Sequence, residues 1–540
     1  MRSLVARRPL AFISIPLIFV GVLFYLPMLR VLLLGAQEGV VGLISALAPG
    51  FWPIVLFTIF QAIVSTVICL VLGVPGAYVL YRRSFKGSTL IRSLITVPFM
   101  LPSIVTAMMF ALLGNAVGGI SPMAAIIAAN VFSNYSLVVR SVGSQWQTID
   151  QSSEEAGSIS GAGRFRIIWS ISLPQLRASL FSSAAITMLY CFSSYGIVLA
   201  LAGGNVNTIE TEIGNAALQH LDLPRAAALS LVQIVLCAVT FLASRSQNDA
   251  SLNLAGTELR SSPRIDRRDA PAVALMVLVV GLLIALPMVL LLARAFMVGG
   301  QVSLDNFAHL DSMGTRNLLD LSVLEATLNS LRNLAIATAI AAPMGLLIAF
   351  MLASRTRARA AKNAKRDSVG AMIDSIFMLP IGVSSVVLAL GYLITFGDGW
   401  LPIRSSWLVV PLVQSLLATP LVVRIVYPAL ITIEDTVHAQ AQTEGATPWQ
   451  IFAHLDLRII AAAVRTAIAF AALVSIGEFG AASLLSFGDQ STLTVLLYQL
   501  ISRPGGQNYQ MALAIAAMLV ALTVSVVLLV SRDSKTQRQH

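Results

Sequence analysis

Charged side chains are scarce in this sequence: Asp, Glu, Lys and Arg together account for 11% of its 540 residues. A soluble globular domain carries roughly 25% charged residues, so this scarcity excludes an ordinary soluble fold. Hydrophobic residues make up 57% of the chain, and its mean hydropathy is +0.84. The composition therefore predicts a protein that is embedded in a lipid bilayer.

Cysteine is also rare, and Cys69, Cys191 and Cys237 all lie in apolar runs. This placement indicates small core residues and excludes a disulfide framework, while the five histidines show no metal-ligand spacing. The phosphate-binding pattern G-x-x-x-x-G-K-[ST] is missing, because GAGRFR at 161–166 lacks the lysine. No cluster of His, Asp and Glu indicates an enzyme. We therefore expect no catalytic residue, no metal and no cofactor on this chain.

Hydrophobic runs recur along the chain, and several reach the 20 or so residues that a membrane-spanning helix needs. The first run is too long for a signal peptide and lacks a small-x-small cleavage site, so we interpret it as an uncleaved membrane helix. The sequence predicts an all-α membrane protein with about twelve spans, near residues 10–34, 53–81, 91–113, 121–141, 178–203, 226–243, 272–298, 329–354, 370–396, 406–427, 460–486 and 510–531.

Arginine and lysine are distributed unevenly between alternate loops, and this asymmetry sets the orientation. With the N-terminus inside, 28 of the 35 basic residues fall in inside segments and seven fall outside. The prediction is that both termini, together with residues 142–177 and 428–459, are cytoplasmic. The net charge of +10 then fits basic loops that face an anionic lipid leaflet, and it does not indicate a nucleic-acid partner.

The two halves of the chain repeat each other. The tetrapeptide FMLP occurs at 99–102 and again at 377–380, and its prolines Pro102 and Pro380 are expected to kink the third and ninth helices. Four further pairs align in the same order: Gly73 with Gly345 and, at one constant offset, Gly161 with Gly445, Gly196 with Gly480 and Thr208 with Thr492. Because the first half contains an even number of spans, the halves run in the same direction, as a parallel duplication.

A polar loop between the fourth and fifth spans reads EEAGSISGAGRFRIIWSISLP at 154–174. Gly161 tolerates positive φ, so it can end one short helix before a second, from about 162 to 170, begins at an angle. Pro174 suits the first turn of the next helix. The second helix carries Phe165 on an apolar face that needs a partner, which is either the membrane surface and its own bundle or another protein. The fixed positions of the pattern are Glu155, Ala156, Gly161, Ile171, Leu173 and Pro174.

This pattern resembles the EAA loop of bacterial ABC importer permeases, in which Glu-Ala-Ala is followed by three residues, Gly, nine residues and Ile-x-Leu-Pro. Only Gly157 departs from it, standing where the family has Ala. The resemblance implies the type I ABC importer permease fold in a bacterial inner (plasma) membrane. It also implies that Glu155, Ala156, Gly161, Phe165 and Pro174 couple the chain to one of two copies of a separate cytoplasmic ATP-binding subunit. An extracytoplasmic substrate-binding protein is the further partner.

The second copy of the loop, AQAQTEGATPWQIFAHLDLR at 439–458, is less complete. Gly445 and Trp449 keep the family wording, but Ala439 replaces the glutamate and Arg458 replaces the proline. We therefore expect an asymmetric coupling to the ATP-binding subunits. His438, next to this loop, is interpreted as a solvated loop residue.

With this resemblance the chain divides into successive units. They are an N-terminal transmembrane helix with its outer loop (1–52), a first permease domain (53–243), a cytoplasmic linker (244–271), a seventh helix with its outer loop (272–327), a second permease domain (328–531) and a cytoplasmic tail (532–540).

The segments 474–505 and 193–213 resemble the thiamine (thiamine diphosphate) permeases, and the neighbouring iron(III) permeases share much of this wording. Glu478, with Ser194 and Tyr195 at the matching place of the first half, is the candidate for the substrate path. A carboxylate inside a membrane faces a cavity or a partner, so Glu478 either meets a cationic cargo or makes a structural hydrogen bond. A proton-coupled secondary transporter is the alternative class, but beyond Glu478 and Asp374 the sequence offers few acids for it.

Overall fold

The computed structural model describes residues 9–37, 50–204, 206–246, 263–314, 319–362, 376–377, 379–397, 406–447 and 450–536. The α-helices are α1 Pro9–Val20, α2 Leu26–Ala36, α3 Phe51–Ala77, α4 Ser88–Leu94, α5 Val97–Met100, α6 Ser103–Ala116, α7 Pro122–Thr148, α8 Gln151–Ile159, α9 Arg164–Ile167, α10 Leu173–Phe192, α11 Tyr195–Leu201, α12 Ile209–Leu218, α13 Leu223–Ser246, α14 Ala270–Leu278, α15 Leu286–Ala295, α16 Asp305–Ala308, α17 Val323–Lys362, α18 Ser385–Phe396, α19 Val409–Ile431, α20 Asp435–Thr443, α21 Leu457–Ile459, α22 Ala461–Gly477, α23 Gly480–Leu485, α24 Leu493–Ser502 and α25 Gly506–Thr536.

Short π-helical and 3₁₀ segments join several of these helices. The π segments are Gly21–Tyr25, Tyr78–Arg82, Ile168–Ser172, Val279–Ala285 and Ile451–Asp456, and the 3₁₀ segments are Arg267–Asp269, Leu379–Gly382 and Gly488–Gln490. The described strands, β1 Met297–Val298 and β2 Gln301–Val302, form one small antiparallel hairpin.

Membrane-spanning helices dominate the architecture. Within the described residues, eight helices are long and apolar enough to cross a membrane, and the number rises to eleven when each of three bent helix pairs is one span. The predicted span at 370–396 lies partly outside the described residues, and its described part contains the 12-residue apolar helix α18. The chain is thus an all-α membrane protein, as its composition predicts.

The duplication predicted from sequence is visible in equivalent helices and in equivalent hydrogen bonds. Helices α8 and α12 recur as α20 and α24, with every boundary displaced by the same offset that separates Gly161 from Gly445. At the start of α12, the amide of Ile209 donates to Thr58 Oγ1 over 3.0 Å. At the start of α24, the amide of Leu493 donates to Ser330 Oγ over 2.8 Å. The two parallel halves therefore share their internal contacts as well as their helix order.

The two FMLP tetrapeptides do not occupy equivalent places. Pro102 caps the N-terminus of α6, where the chain bends by 101° between two helices, so the predicted kink is confirmed there. Pro380 lies in the 3₁₀ turn before α18, and the N-cap of α18 is Ser384. The N-cap residue is therefore a proline in α6 of the first half and a serine in α18 of the second half.

The helices outside the repeats interlock the two halves. Helix α2 packs against α13 of the first half and α18 of the second, while α15 packs against α6 and α25. Helix α14 packs against α3, and an ion pair of 3.0 Å between Arg83 Nε and Asp269 fixes its start. The Tyr78 hydroxyl donates to the same carboxylate over 2.9 Å. These contacts hold the halves together around a shared interface.

Candidate functional site

Two short helices, α11 and α23, begin at breaks in the long helices that precede them. Tyr195 is the first residue of α11, and Phe479 is the N-cap of α23; the two positions are equivalent in the repeat, each directly preceding one of the paired glycines Gly196 and Gly480. Their rings stack with centroids 5.8 Å apart and an interplanar angle of 23°. Both side chains are buried. Equivalent residues of the two halves therefore meet face to face at the interface.

Glycines next to this stack allow the close approach. A Cβ on Gly196 would lie 2.3 Å from Ser103 Oγ and 2.8 Å from the Phe479 ring. A Cβ on Gly480 would likewise lie 2.3 Å from Ser385 Oγ. All three separations are shorter than a Cβ normally has, so a side chain at either position would force its neighbours to shift. This explains why the sequence repeats Gly196 as Gly480.

A cavity of about 330 Å³, here called the central cavity, lies on one side of the stack. The three predicted path residues, Ser194, Tyr195 and Glu478, all line it, so the structure brings them together. Residues of both halves form its walls, which include the polar side chains Ser103, Asn130, Ser133, Asn134, Ser193, Ser385 and Arg424.

A second cavity of about 290 Å³ lies on the other side of Tyr195, which lines both spaces. Tyr498 lines the second cavity, and its ring lies 5.6 Å from the ring of Phe479. Tyr195, Phe479 and Tyr498 thus form an aromatic layer between the two cavities.

The carboxylate of Glu478 is occupied by backbone hydrogen bonds. It accepts from the amides of Ala481 and Ala482 at 2.7 and 3.0 Å, so it caps the N-terminus of α23. Thr494 Oγ1 donates to the backbone carbonyl of Glu478 over 3.1 Å. Of the two roles that the sequence allowed for Glu478, this geometry corresponds to the structural hydrogen bond.

Sequence reasoning missed two further buried acids, Glu210 and Glu212, both on α12. Glu212 pairs with Arg225 over 2.7 Å. The carboxylate of Glu210 makes no hydrogen bond of good geometry to any described residue, although the hydroxyl of Ser193 and the amide of Tyr195 are among its polar neighbours. A glutamate in the first turn of a helix is also a common solvated residue, so its burial leaves no signal in the sequence.

In each half, a residue at the helix break is paired with a residue on the helix that follows. The acid is at the break in the second half and on the following helix in the first half. In the second half Glu478 lies at the helix break and Thr494 faces it from α24. The equivalent positions in the first half are Ser194 at the break and Glu210 on α12. Each half therefore places one carboxylate beside its short helix, but from a different element.

Both polar loops end their first helix in the way that the glycines predict. Gly161 has φ +78° and Gly445 has φ +83°. The amide of Ala162 donates to the carbonyl of Gly157, and that of Ala446 to the carbonyl of Ala441, each over 3.0 Å. These bonds close a Schellman motif at the end of α8 and of α20.

The first loop presents an apolar surface with no described partner. Phe165 and Trp169 are 79% and 64% exposed, and their rings stack 6.1 Å apart. Ile159, at the end of α8, is also exposed. Glu155 and Ala156 are exposed on α8, and Glu155 makes no hydrogen bond or ion pair to the described residues. Trp449 of the second loop lies outside the described residues.

A partly buried polar tie anchors each loop at equivalent positions. In the first loop, Glu154 pairs with Arg82 over 2.8 Å and accepts from Ser172 Oγ over 2.8 Å. In the second, His438 Nε2 lies 2.8 Å from Asp456 Oδ1. The interpretation of His438 as a solvated loop residue was wrong, because its side chain is only 16% exposed and holds α20 to the following π segment.

The arginines near the two ties are also comparable. Arg82 donates to the carbonyl of Ile149 over 3.0 Å, and Arg357 donates to that of Ile433 over 3.3 Å. Ile149 and Ile433 are equivalent positions of the repeat. In each half, therefore, an arginine binds the backbone carbonyl at the same position before the loop.

Pro174 lies in the first turn of α10, as expected, but no break separates α10 from the helix before it. The chain is continuously helical from α9 through the π segment Ile168–Ser172 into α10. A π segment also occupies this place in the second half, at Ile451–Asp456, where Arg458 replaces the proline. The widened turn is therefore a property of the repeat, and it accommodates the missing amide of Pro174.

A duplicated helical bundle with cavities lined by residues of both halves has the architecture of a membrane permease. The family model "Binding-protein-dependent transport system inner membrane component" matches residues 70–249 and 345–534. The chain belongs to this family of ABC importer permeases, with two copies of the permease domain in the type I fold.

Curated relatives of similar length include thiamine permeases. The chain is 26% identical over 495 residues to the thiamine transport system permease protein ThiP of Escherichia coli K12. The aligned region covers 88% of each chain. It is 25% identical over 507 residues to the protein of the same name from Salmonella typhimurium, covering 90% of each. The sulfate transport system permease protein CysW of Synechococcus elongatus is 26% identical over 253 residues, 43% of this chain and 88% of that protein.

Proposed function

We propose that this chain is the fused permease subunit of an importer for thiamine or thiamine phosphates. The observation that carries the proposal is the collinear similarity to thiamine permeases over 88% of both chains. Iron(III) is the alternative cargo within the same family. The family membership sets aside the proton-coupled secondary transporter.

Two copies of a cytoplasmic ATP-binding subunit dock on the two polar loops. On the first loop, the exposed Phe165 and Trp169 supply an apolar contact, and the exposed Glu155 and Ala156 on the preceding helix α8 supply a further one. Gly161 and Gly445 set the angle at which each loop presents its helix, and Pro174 lies where the first loop enters α10. Trp449 is assigned the same docking role on the second loop. Both loops and both termini are cytoplasmic in a bacterial inner membrane.

The substrate crosses between the halves. An extracytoplasmic binding protein delivers it to the second cavity, and the layer of Tyr195, Phe479 and Tyr498 separates that space from the central cavity. Closure of the ATP-binding subunits moves the loops together, and the halves rock so that the layer opens. Ser194 and Tyr195 line the path directly, while Glu478 shapes it by capping α23.

Reconstitution tests the cargo. The chain is incorporated into proteoliposomes with its ATP-binding subunit and binding protein, and ATP hydrolysis is measured with thiamine diphosphate, thiamine and iron(III). We expect stimulation by at least one thiamine species and none by iron(III). Absence of stimulation by both thiamine species, with stimulation by iron(III), rejects the proposed cargo.

Two variants test the docking role. Glu155→Lys reverses a charge on the loop, and Gly161→Pro is incompatible with φ +78° because proline fixes φ near −65°. Both should insert in the membrane but fail to co-purify with the ATP-binding subunit. Gly163→Ala is the control, since a Cβ there has no neighbour within 4 Å. Retained co-purification and uptake in both variants would count against the coupling role.

A further inference from the structure

Arg424 stands out among the residues of the central cavity. It lies on α19, lines the cavity and is exposed. It makes no hydrogen bond or ion pair with any residue that the structure describes. It precedes the end of α19 at Ile431 by about two helical turns, or about 10 Å along the helix.

An arginine inside a membrane span is costly, and such residues face a water-filled cavity or a partner and mark substrate paths. The cavity that Arg424 lines has walls from both halves, including Phe99 and Tyr190 of the first. The guanidinium therefore points into the interface between the halves. This placement distinguishes it from a basic residue that only faces lipid headgroups.

Glu478, the other charged group in the wall, forms no ion pair with Arg424. The Glu478 carboxylate accepts two amide hydrogen bonds at the N-terminus of α23, which occupy its oxygens. The amides and the helix terminus offset its negative charge. No described carboxylate, including the unpaired Glu210, forms an ion pair with the Arg424 guanidinium.

The geometry points to Arg424 as a binding site for the anionic group of the cargo, a phosphate ester or another oxyanion. A guanidinium binds such groups through paired N–H donors, with charge-assisted hydrogen bonds. A bare trivalent cation would be repelled from the same place. This inference deepens the proposed function and rests on it for the choice of phosphate ester. An oxyanion such as sulfate has the same chemistry.

The chain carries its own control. Arg140 occupies the position equivalent to Arg424 in the first half, and it is also exposed and makes no hydrogen bond or ion pair with the described residues. It is absent from the described walls of the central cavity. Removal of either arginine deletes one charge at the same depth of an equivalent helix.

Chemical protection tests the site without knowledge of the cargo. The full chain in lipid nanodiscs is treated with phenylglyoxal, with and without inorganic pyrophosphate, sulfate or free thiamine, and modification is read by peptide mass spectrometry. We expect pyrophosphate to slow modification of Arg424 severalfold and to leave Arg140 unchanged, while thiamine protects neither. Protection by sulfate alone keeps the anion site but assigns it to sulfate. Equal modification of Arg424 under all conditions overturns the inference.

Transport then tests the link to the proposed function. In the reconstituted importer, Arg424→Gln should lower the uptake of thiamine diphosphate relative to thiamine by about tenfold, as expected for the loss of one charge-assisted contact. Arg140→Gln should leave this ratio unchanged. Because the same binding protein serves both variants, its own substrate preference does not affect the comparison between them. An equal loss for both substrates, or the same effect in both variants, contradicts a role for Arg424 in anion binding. If the wild-type importer transports neither thiamine species, the proposed cargo is rejected. The protection experiment still decides whether Arg424 binds an anion.

Discussion

Tyr195 and Phe479, which occupy the same position in the two repeats, stack 5.8 Å apart where the halves meet. A duplication places equivalent residues opposite each other across its axis, so a path on that axis is lined twice by the same position. Here the position is aromatic in both halves, and it separates one cavity from another. The layer between the two cavities is therefore built in part from one repeated position.

Truncation of this layer should make the importer leak. In Tyr195→Ala the ring that separates the cavities is lost, so we expect severalfold faster passage of small solutes through proteoliposomes and ATP hydrolysis that no longer depends on the binding protein. Tyr195→Phe keeps the ring and should behave as wild type. Leakage that is the same in Tyr195→Ala, Tyr195→Phe and wild type would show that the layer does not close the path.

Glu478 should act on stability more than on transport. Glu478→Ala removes the acceptor of two buried amides at the start of α23, and the loss of capping hydrogen bonds of this kind costs about 0.5–2 kcal/mol, so the melting temperature should fall. Glu478→Gln keeps one carbonyl oxygen as an acceptor and should restore part of this stability. Uptake per folded transporter should change less than the melting temperature suggests. A Gln variant with wild-type stability and a large loss of uptake would instead mean that the carboxylate contacts the cargo.

The tie between Arg82 and Glu154 should hold the first loop in place. Glu154→Gln removes a charge-assisted bond of the kind worth about 1.5 kcal/mol, so amide hydrogen exchange in residues 151–159 should speed up by roughly tenfold. His438→Gln is the matched change in the second loop and should affect residues 435–443 alone. Unchanged exchange in Glu154→Gln would mean that the π segment and the backbone bond from Arg82 suffice.

The exposed aromatic pair of the first loop should contribute affinity and little stability. Phe165→Ala and Trp169→Ala remove solvent-exposed rings, so the melting temperature of the chain should stay the same. Affinity for the ATP-binding subunit should fall by about tenfold or more, because buried aromatic residues dominate interface energies. Phe181→Ala, a half-exposed aromatic on α10 outside the loop, is the control. Equal affinity of all three variants would place the contact elsewhere.

Much of the fold could be predicted because long apolar runs and repeated glycines are strong local signals. Gly161 and Gly445 adopt the positive φ that their spacing indicated. The FMLP repeat misled, because four identical letters do not fix register: Pro102 caps a helix and Pro380 precedes one. Identity in a short stretch was weaker evidence than ordered pairs at a constant offset.

The site was less accessible from sequence. Glu478 is conspicuous as an acid in an apolar segment, whereas Glu210 lies in a helix start that reads as solvated. Likewise, His438 and Asp456 come together only because a π segment turns one toward the other, and no residue pattern reports that turn. Burial and cross-element contacts depend on tertiary packing, which single-sequence periodicity does not contain.

The most direct test of the account is the accumulation of labelled thiamine diphosphate in proteoliposomes that hold the complete importer. We expect accumulation against a gradient that requires ATP, the binding protein and an intact first loop, so that Glu155→Lys abolishes it. Accumulation of iron(III) or sulfate, with no uptake of any thiamine species under the same conditions, would contradict it.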